Sequence, residues 1–499
     1  MSRTSKVRHN GHKVQINQSD RNDLIGAPPV VQALVGALGD HTVLWRPYDM
    51  RLYSYDGSID RARPDAVILP SCTDDVVVAM RICAEHGVPV TPRGAGTGLS
   101  GGSIPVEGGV LIGTARLNKI LHVDPENRRA VVQPGVVNSH LSEAVKQYGL
   151  YYVPDPSSQR ACTIGGNVAE NAGGPHTLLH GVTTNHVLGL ELVLMGGEVV
   201  RLGGEALDSP GYDLVGLVIG SEGTFGVVTE IIVRLVPISE AVRTMLGIFE
   251  TVDQASNAVS AIIGEGIVPA ALEMMDNLPI QAVEDAYHAG YPRDAGAVLL
   301  IEIEGTEADL EAPARAIVTL CEGAGAREVR LAKDARERTL LWAGRKGAFG
   351  ALGRITPDYY TMDGVIPRST VPEVLRRIAE VGRAFNLTIC NVFHAGDGNL
   401  HPLILFDAEH EGIIERVKQA GDEILAICAS VGGSLSGEHG IGMEKNNVMG
   451  LIFSDADMDL MKTVRGAFDP KNLCNPGKVF PTPGRCLEPS GHIRAGAGW

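Results

Sequence analysis

Thr91-Pro-Arg-Gly-Ala-Gly-Thr-Gly-Leu-Ser-Gly-Gly102 is the stretch on which the fold reading turns. It follows a helix-like run over residues 76–86 and a short apolar strand over 88–90. Loops this dense in glycine can turn successive backbone N–H groups toward one point, an anion nest for a phosphate or pyrophosphate. Gly96, Gly98 and Gly101 spell GxGxxG. The parallel dinucleotide-binding fold would need a helix to open there, with an acidic residue about twenty positions on. The chain continues instead as Ser103-Ile-Pro-Val-Glu-Gly-Gly-Val-Leu-Ile112, which reads as turn and strand. A doubly wound sheet is therefore not the expectation.

Two more segments keep a nucleotide ligand in view. Pro154-Asp-Pro-Ser-Ser158 leads to Ile164-Gly-Gly-Asn-Val-Ala-Glu-Asn-Ala-Gly-Gly174, and Gly220-Ser-Glu-Gly-Thr-Phe-Gly226 leads into a strand-like run over 227–233. Each sets glycines beside small hydroxyl or amide residues, the chemistry that wraps a large polar cofactor. One such loop is an ordinary turn. Three within about 135 residues point to a binding surface.

A separate constellation lies toward the C-terminus. His394-Ala-Gly-Asp-Gly-Asn-Leu-His401 is followed by Gly437-Glu-His-Gly-Ile-Gly442. Two histidines and the Glu438-His439 pair make a compact set of metal ligands plus a proton acceptor. Nitrogen and carboxylate ligands suit a divalent ion such as Zn²⁺ or Mn²⁺. The surrounding glycines let backbone and a small substrate approach closely. A second histidine group, His176, His180 and His186, includes a pair four apart but has no carboxylate at matching spacing. Local hydrogen bonding is the expectation there.

Taken in order, the motifs are Arg93-Gly-Ala-Gly-Thr-Gly-Leu-Ser-Gly101, Gly165-Gly-Asn167 with Asn171-Ala-Gly-Gly174, Gly220-Ser-Glu-Gly223, His394 with His401, Gly437-Glu-His-Gly440 and Asn475-Pro-Gly-Lys478. This order resembles the FAD-linked 2-hydroxyacid dehydrogenases of the vanillyl-alcohol-oxidase type. Within them the motifs resemble those of the FAD-binding D subunits of bacterial glycolate oxidases. Leu272-Glu-Met-Met-Asp-Asn277, Phe349 to Arg354 with Pro357-Asp-Tyr-Tyr360, and Asn391 to Asn399 agree, so the resemblance spans residues 45–482.

The resemblance implies an α+β fold. A PCMH-type FAD-binding domain over 46–238 would be followed by a ferredoxin-like FAD-linked oxidase C-terminal domain over 239–482. Residues 1–45 would be a tail and lead-in, and 483–499 a loosely ordered tail. It also implies that Arg93, Gly94, Ala95, Gly96, Thr97 and Gly98 cradle the FAD pyrophosphate. Asp155, Pro156, Ser157, Gly165, Gly166, Asn171, Gly174 and Glu222 would complete the contacts, with Asn475 closing over the flavin. Some relatives attach FAD through a histidine of the first loop. No histidine occurs here from 87 to 121, so non-covalent FAD is expected.

Arg345, in Trp342-Ala-Gly-Arg-Lys-Gly347, is the candidate for the substrate carboxylate, because a guanidinium matches a carboxylate with two parallel hydrogen bonds. Arg354, Tyr359 and Tyr360 are candidate neighbours. His394, His401 and Glu438 would hold the metal, and His439 would take the hydroxyl proton. The implied activity is oxidation of glycolate to glyoxylate, and of D-lactate to pyruvate as well. The alternative is a D-lactate dehydrogenase or another D-2-hydroxyacid dehydrogenase. In relatives acting on longer diacids a polar residue lies two positions past the second metal histidine; Leu403 stands there, so the resemblance implies a short monocarboxylate over 2-hydroxyglutarate. A UDP-sugar reductase on a related FAD domain would lack the histidine–glutamate set. A non-catalytic flavin-carrying subunit would have no use for it.

Composition sets the frame. At 499 residues the chain exceeds one ordinary core, so two domains are expected. The net charge of −16 argues against nucleic acid and anionic membrane surfaces as partners. No run of 18 apolar residues exists, and the polar first 24 residues resemble neither a spanning segment nor a secretion signal. The eight cysteines are scattered without a CxxC pair, which fits a reducing cytoplasm and gives no ligand cluster for iron–sulfur chemistry. Electrons reaching a flavin here would leave through partner subunits, including an iron–sulfur protein. Location at the inner face of the cell membrane would then come through those partners.

Periodicity predicts helices over 73–86, 139–148, 255–265, 307–323, 374–385 and 411–431, with strands over 67–70, 227–233, 243–250, 297–304 and 387–393. A shift at Pro237-Ile-Ser-Glu-Ala places the domain boundary near 238.

Overall fold

The computed structural model describes Leu24, residues 26–207 and residues 210–481. All but Leu24 of the 24-residue N-terminal tail, and the C-terminal tail, lie outside the described residues. Helix Pro29–Leu38 buries Val30, Val31, Leu34 and Val35 among Met80, Cys83 and Val90. That spacing is one face of a helix, so this stretch belongs to the first domain's core rather than to a lead-in.

The first domain holds two larger sheets and the two-stranded pair Leu150–Tyr151 with Val236–Pro237. One orders Val43–Leu44, Ala66–Ile68, Val110–Gly113 and Val90–Arg93, with the last three strands parallel. The other is antiparallel, in the order Ile120–Asp124, Arg129–Val132, Val227–Arg234, Val187–Val193, Val199–Gly203. Strand Val90–Arg93 runs into the glycine loop, so the loop starts from a hydrogen-bonded anchor. Helix Thr73–His86 stops at Gly87, whose φ of 63° is the left-handed turn that glycine takes without strain.

Residues from Ala241 onward build a seven-stranded antiparallel sheet. Its first four strands run Glu328–Leu331, Ala241–Phe249, Ala297–Gly305, Ala271–Asp276, joined through helices Val252–Gly264 and Glu307–Gly323. Apart from helix Asn277–Tyr287, inserted between the middle two strands, the chain order is strand–helix–strand–strand–helix–strand with the last strand beside the first, the ferredoxin-like arrangement. Thr388–His394, Pro402–Phe406 and Asp358–Thr361 extend it.

Both faces of this sheet are covered. Met245, Phe249, Leu299 and Ile301 face one core, while Leu246, Ile248, Val298 and Leu300 face another. Side chains alternate across a strand, so burial of both faces makes the strands read as continuous apolar runs. The second core is roofed by helices Asn277–Tyr287 and Ala335–Leu352, neither of which the sequence reading predicted. Ala335–Leu352 is capped by Asp334, whose side chain accepts from the Glu337 N–H. Gly344 lets it lie against Val283, Ala289 and Tyr291, all within 3 Å of where a Cβ would stand.

The chain then returns to the first domain. Val90 donates to the Leu473 carbonyl and Asn475 donates to the Val90 carbonyl, so the Asn-Pro-Gly-Lys turn sits beside the glycine loop.

Candidate active site

A cavity of about 490 Å³ lies along the seam between the two domains. The first domain lines it with Arg93 to Leu99, Pro156 to Ser158, Gly165, Gly166, Glu170 and Glu222. The second contributes Arg345, Lys346, Phe349, Tyr359, His394, His401, Glu438 and His439. Its glycines suit a bulky ligand lying against backbone. A Cβ at Gly98 would meet only Glu170 Oε1 at 4.0 Å, and one at Gly166 only Thr163 Oγ1 at 3.4 Å. Side chains there would project into the cavity.

Eleven of the fifteen expected cofactor residues line this space: Arg93, Gly94, Ala95, Gly96, Thr97, Gly98, Pro156, Ser157, Gly165, Gly166 and Glu222. Four do not. Asp155 turns away to a second cavity, where its carboxylate meets His176 Nδ1 and Lys346 Nζ, each at 2.9 Å. Asn171 is the left-handed C-cap of helix Ile164–Glu170, and its side chain accepts from the Thr184 N–H. Gly174 packs on the Asp155 backbone. Asn475 does not close over the cavity. Its amide donates to the Gly102 and Glu222 carbonyls at 2.8 and 2.6 Å, fastening two cavity loops from behind. These residues stand behind the cavity lining.

Glu222 lines the cavity, yet its carboxylate accepts from the Ile441 and Gly442 N–H groups at 2.7 Å each. It ties the Gly220–Gly226 turn to the loop that carries Glu438 and His439. The expectation of local hydrogen bonding for the second histidine group holds only for His186, which bonds the His180 carbonyl; His176 meets Asp155, and His180 reaches Glu304 of the second domain at 2.6 Å, because the two domains pack here.

From the second domain the predicted substrate residues converge on the same cavity. Arg345 is fully buried on helix Ala335–Leu352, with Nη2 2.5 Å from Glu273 Oε2. Its Nε and Nη1 have no hydrogen-bond acceptor. A buried guanidinium with unused donors fits an incoming carboxylate. His394, at the end of strand Thr388–His394, gives Nδ1 to Glu273 at 2.7 Å and points Nε2 at Glu438 Oε1, 3.1 Å away. His401 Nε2 lies 3.2 Å from the same oxygen. The ligand atoms of His394, His401 and Glu438 all lie within 4.8 Å of one another. The Nδ1 of His394 is engaged by a carboxylate, which fixes the ring with Nε2 forward, as in metal-bound imidazoles. The donor set fits a divalent ion.

Asp363 organises the Gly-Glu-His-Gly loop. Its buried carboxylate accepts from the N–H groups of Gly437, Glu438 and His439, from Ser436 Oγ and from Lys445 Nζ. His439 stacks on His401 with ring centroids 4.9 Å apart and planes within 5°. Its Nδ1 is buried without a partner. Burial pushes the His439 imidazole down to about 4, outweighing the pull of Asp363, so the ring is neutral near pH 7 and able to accept a proton. For Glu273, burial alone would raise the carboxyl, but Arg345 and His394 hold it below the usual range.

Sequence reasoning missed Glu273 and Asp363 as site residues. The signal for Glu273 was an acidic residue inside the buried run Ala271-Leu-Glu-Met-Met275. Of the candidate neighbours, Tyr359 lines the cavity. Tyr360 is buried in the opposite core, and the Arg354 guanidinium bonds the Asp285 carbonyl. Leu403 lies in the core beneath the helix, not at the cavity wall, so it cannot select substrate length by contact.

Comparison with known proteins places this site in context. Residues 64–203 match the FAD binding domain family and residues 238–479 match the family described as FAD linked oxidases, C-terminal domain. The chain belongs to the FAD-linked oxidases and is an FAD-dependent oxidoreductase. It is similar to the glycolate oxidase subunit GlcD of Escherichia coli (strain K12), 50% identical over 93% of this chain and 95% of that protein. The D-lactate dehydrogenase of Anaerostipes hadrus is 33% identical over 84% and 90%. Among solved structures, 4-ethylphenol oxidase from Gulosibacter chungangensis shares the fold with a TM-score of 0.78 at 19% identity, covering 92% of this chain and 99% of that one.

Proposed function

We propose that the chain oxidises glycolate to glyoxylate, and D-lactate to pyruvate as well, using non-covalently bound FAD. The observation that carries this is the convergence of Arg345, His439 and the His394–His401–Glu438 set at one end of a glycine-lined cavity. Arg345 holds the substrate carboxylate, and Glu273 behind it keeps the guanidinium in place. His439, neutral and unpartnered at Nδ1, takes the hydroxyl proton. His394, His401 and Glu438 would hold a divalent metal, Zn²⁺ or Mn²⁺, which would supply Lewis-acid polarisation of the substrate hydroxyl. FAD, when bound, supplies the hydride acceptor. The Arg93–Gly98 loop carries its pyrophosphate. Identity to the GlcD subunit supports glycolate as the substrate. A dedicated D-lactate dehydrogenase is the second reading, favoured by the shared similarity at lower identity.

The same reading makes the chain one subunit of a multi-subunit oxidase. Among the described residues no helix is long and apolar enough to cross a membrane, and no cysteine belongs to a metal-binding group. Electrons then pass to partners, including an iron–sulfur subunit, that reduce membrane quinone. Those partners hold the chain at the inner face of the cell membrane. Anaerobic bleaching of the flavin across a panel of 2-hydroxy acids tests the activity. Glycolate and D-lactate should bleach it within the mixing time of a spectrometer. Bleaching by neither acid would sink the proposal, and a strong preference for D-lactate would select the second reading.

A further inference from the structure

Glu170 ends helix Ile164–Glu170 and faces the cavity, yet nothing in the proposed chemistry uses it. Its position marks the reactive end. Gly102, from the first loop, and Gly440, beside His439, both crowd its carboxyl oxygens, so that a Cβ on either would lie under 3.0 Å away. The carboxyl is thus pinched between the cofactor loop and the loop of the proton acceptor. Its Oε2 is buried without a hydrogen-bond partner. Its acidic neighbours Glu222, Asp363 and Asp56 are engaged, Glu222 by two N–H groups, Asp363 by the Gly-Glu-His-Gly loop, and Asp56 by Ser58 and Ser103.

We propose that Glu170 is a redox-tuning residue that donates a hydrogen bond from its carboxyl to the flavin ring, stabilising the electron-rich reduced ring over the oxidised one. This rests on the cavity holding FAD, as proposed above. The charge environment supports a neutral carboxyl. Burial raises the Glu170 carboxyl well above its usual value, Glu222 and Asp56 raise it further, and Lys445 and Lys478 only partly offset them. A neutral acid is a donor, whereas a carboxylate there would repel negative charge on the ring and act in the opposite direction.

The sign of a potential shift therefore decides the matter. The full chain would be purified with its flavin as wild type, Glu170→Gln and Glu170→Ala, and each midpoint potential measured by dye equilibration. Glu170→Ala should move the flavin to a more negative potential by a tenfold change in the reduction equilibrium, about 30 mV for a two-electron couple. Glu170→Gln, whose amide N–H also donates, should stay close to wild type. An unchanged potential in Glu170→Ala, or a more positive one in either variant, would overturn the proposal. If Glu170→Ala does not retain flavin, the Gln variant still decides, because loss of a carboxylate would shift it positive. A wild-type chain that binds no flavin would be a failure of the FAD reading instead, visible before any variant is measured.

Discussion

Arg345 Nη2 stands 2.5 Å from Glu273 Oε2, with both side chains almost wholly buried. The other oxygen of Glu273 meets His394 Nδ1 at 2.7 Å. One carboxylate thus couples the carboxylate-binding group to the metal-binding group, although no sequence spacing links them.

Glu273→Ala should therefore damage folding and activity together. It leaves a buried guanidinium without its counter-charge, which costs about 3–5 kcal/mol. It also frees the His394 ring, a loss of about 10–100-fold in metal affinity or turnover. Chemical denaturation and kcat/KM on one preparation would check both. Wild-type stability in this variant would show that the ion pair is not what holds Arg345.

Arg345→Lys keeps the charge but loses the planar fork. Binding of a carboxylate should weaken by about 1.5–3 kcal/mol, a rise in KM of roughly 10–100-fold, with the flavin spectrum unchanged. A KM equal to wild type would place the substrate carboxylate elsewhere.

Asp363→Asn removes the charge that gathers the Gly437–His439 N–H groups and Lys445. Turnover should fall by about 10-fold or more while FAD content stays constant, since misplacement of a proton acceptor costs rate before binding. Loss of flavin in step with activity would show instead that the loop supports the cofactor.

Chelation with phenanthroline should lower turnover without releasing flavin, because the metal candidates His394, His401 and Glu438 are side chains of the second domain and the Arg93–Gly98 loop belongs to the first. Acid precipitation should then release the flavin into solution. Full activity in a preparation shown to be metal-free by elemental analysis would remove the metal from the proposal.

The contact between the domains carries a pH signature away from the active site. Burial alone would lower the His176 imidazole, but Asp155 and Glu302 push it up to about 10. A folded pKa above the ordinary 6.5 means this stabilisation is complete below about pH 6.5 and fades as pH rises through 10. Thermal unfolding should show Tm falling across that window, and the slope should shrink in His176→Gln. An identical pH profile in that variant would show that the His176 cluster does not couple folding to pH.

Much of the fold was legible locally. Helices Thr73–His86 and Glu307–Gly323 have the bounds their periodicity predicts, because an apolar stripe at helical spacing is a property of contiguous residues. Helix Ala335–Leu352 was not legible in this way, since its glycines and charges blur the stripe and its hold comes from Val283, Ala289 and Tyr291.

What the sequence by itself determined is the inventory: three glycine loops, two histidines seven apart, a Glu-His pair and an arginine beside a tryptophan. These are short-range patterns whose chemistry follows from residue type. Only the tertiary structure decided which of them meet. Strand pairing across the seven-stranded sheet places Glu273 opposite His394 in register, 121 residues apart in sequence. The same folding turns Asp155 and Asn475 away from the cavity that their motifs suggested, because a side chain's direction depends on the backbone beneath it and on what packs behind. Spacing cannot encode that. It is settled when the two domains close on each other and each buried polar group must find a partner.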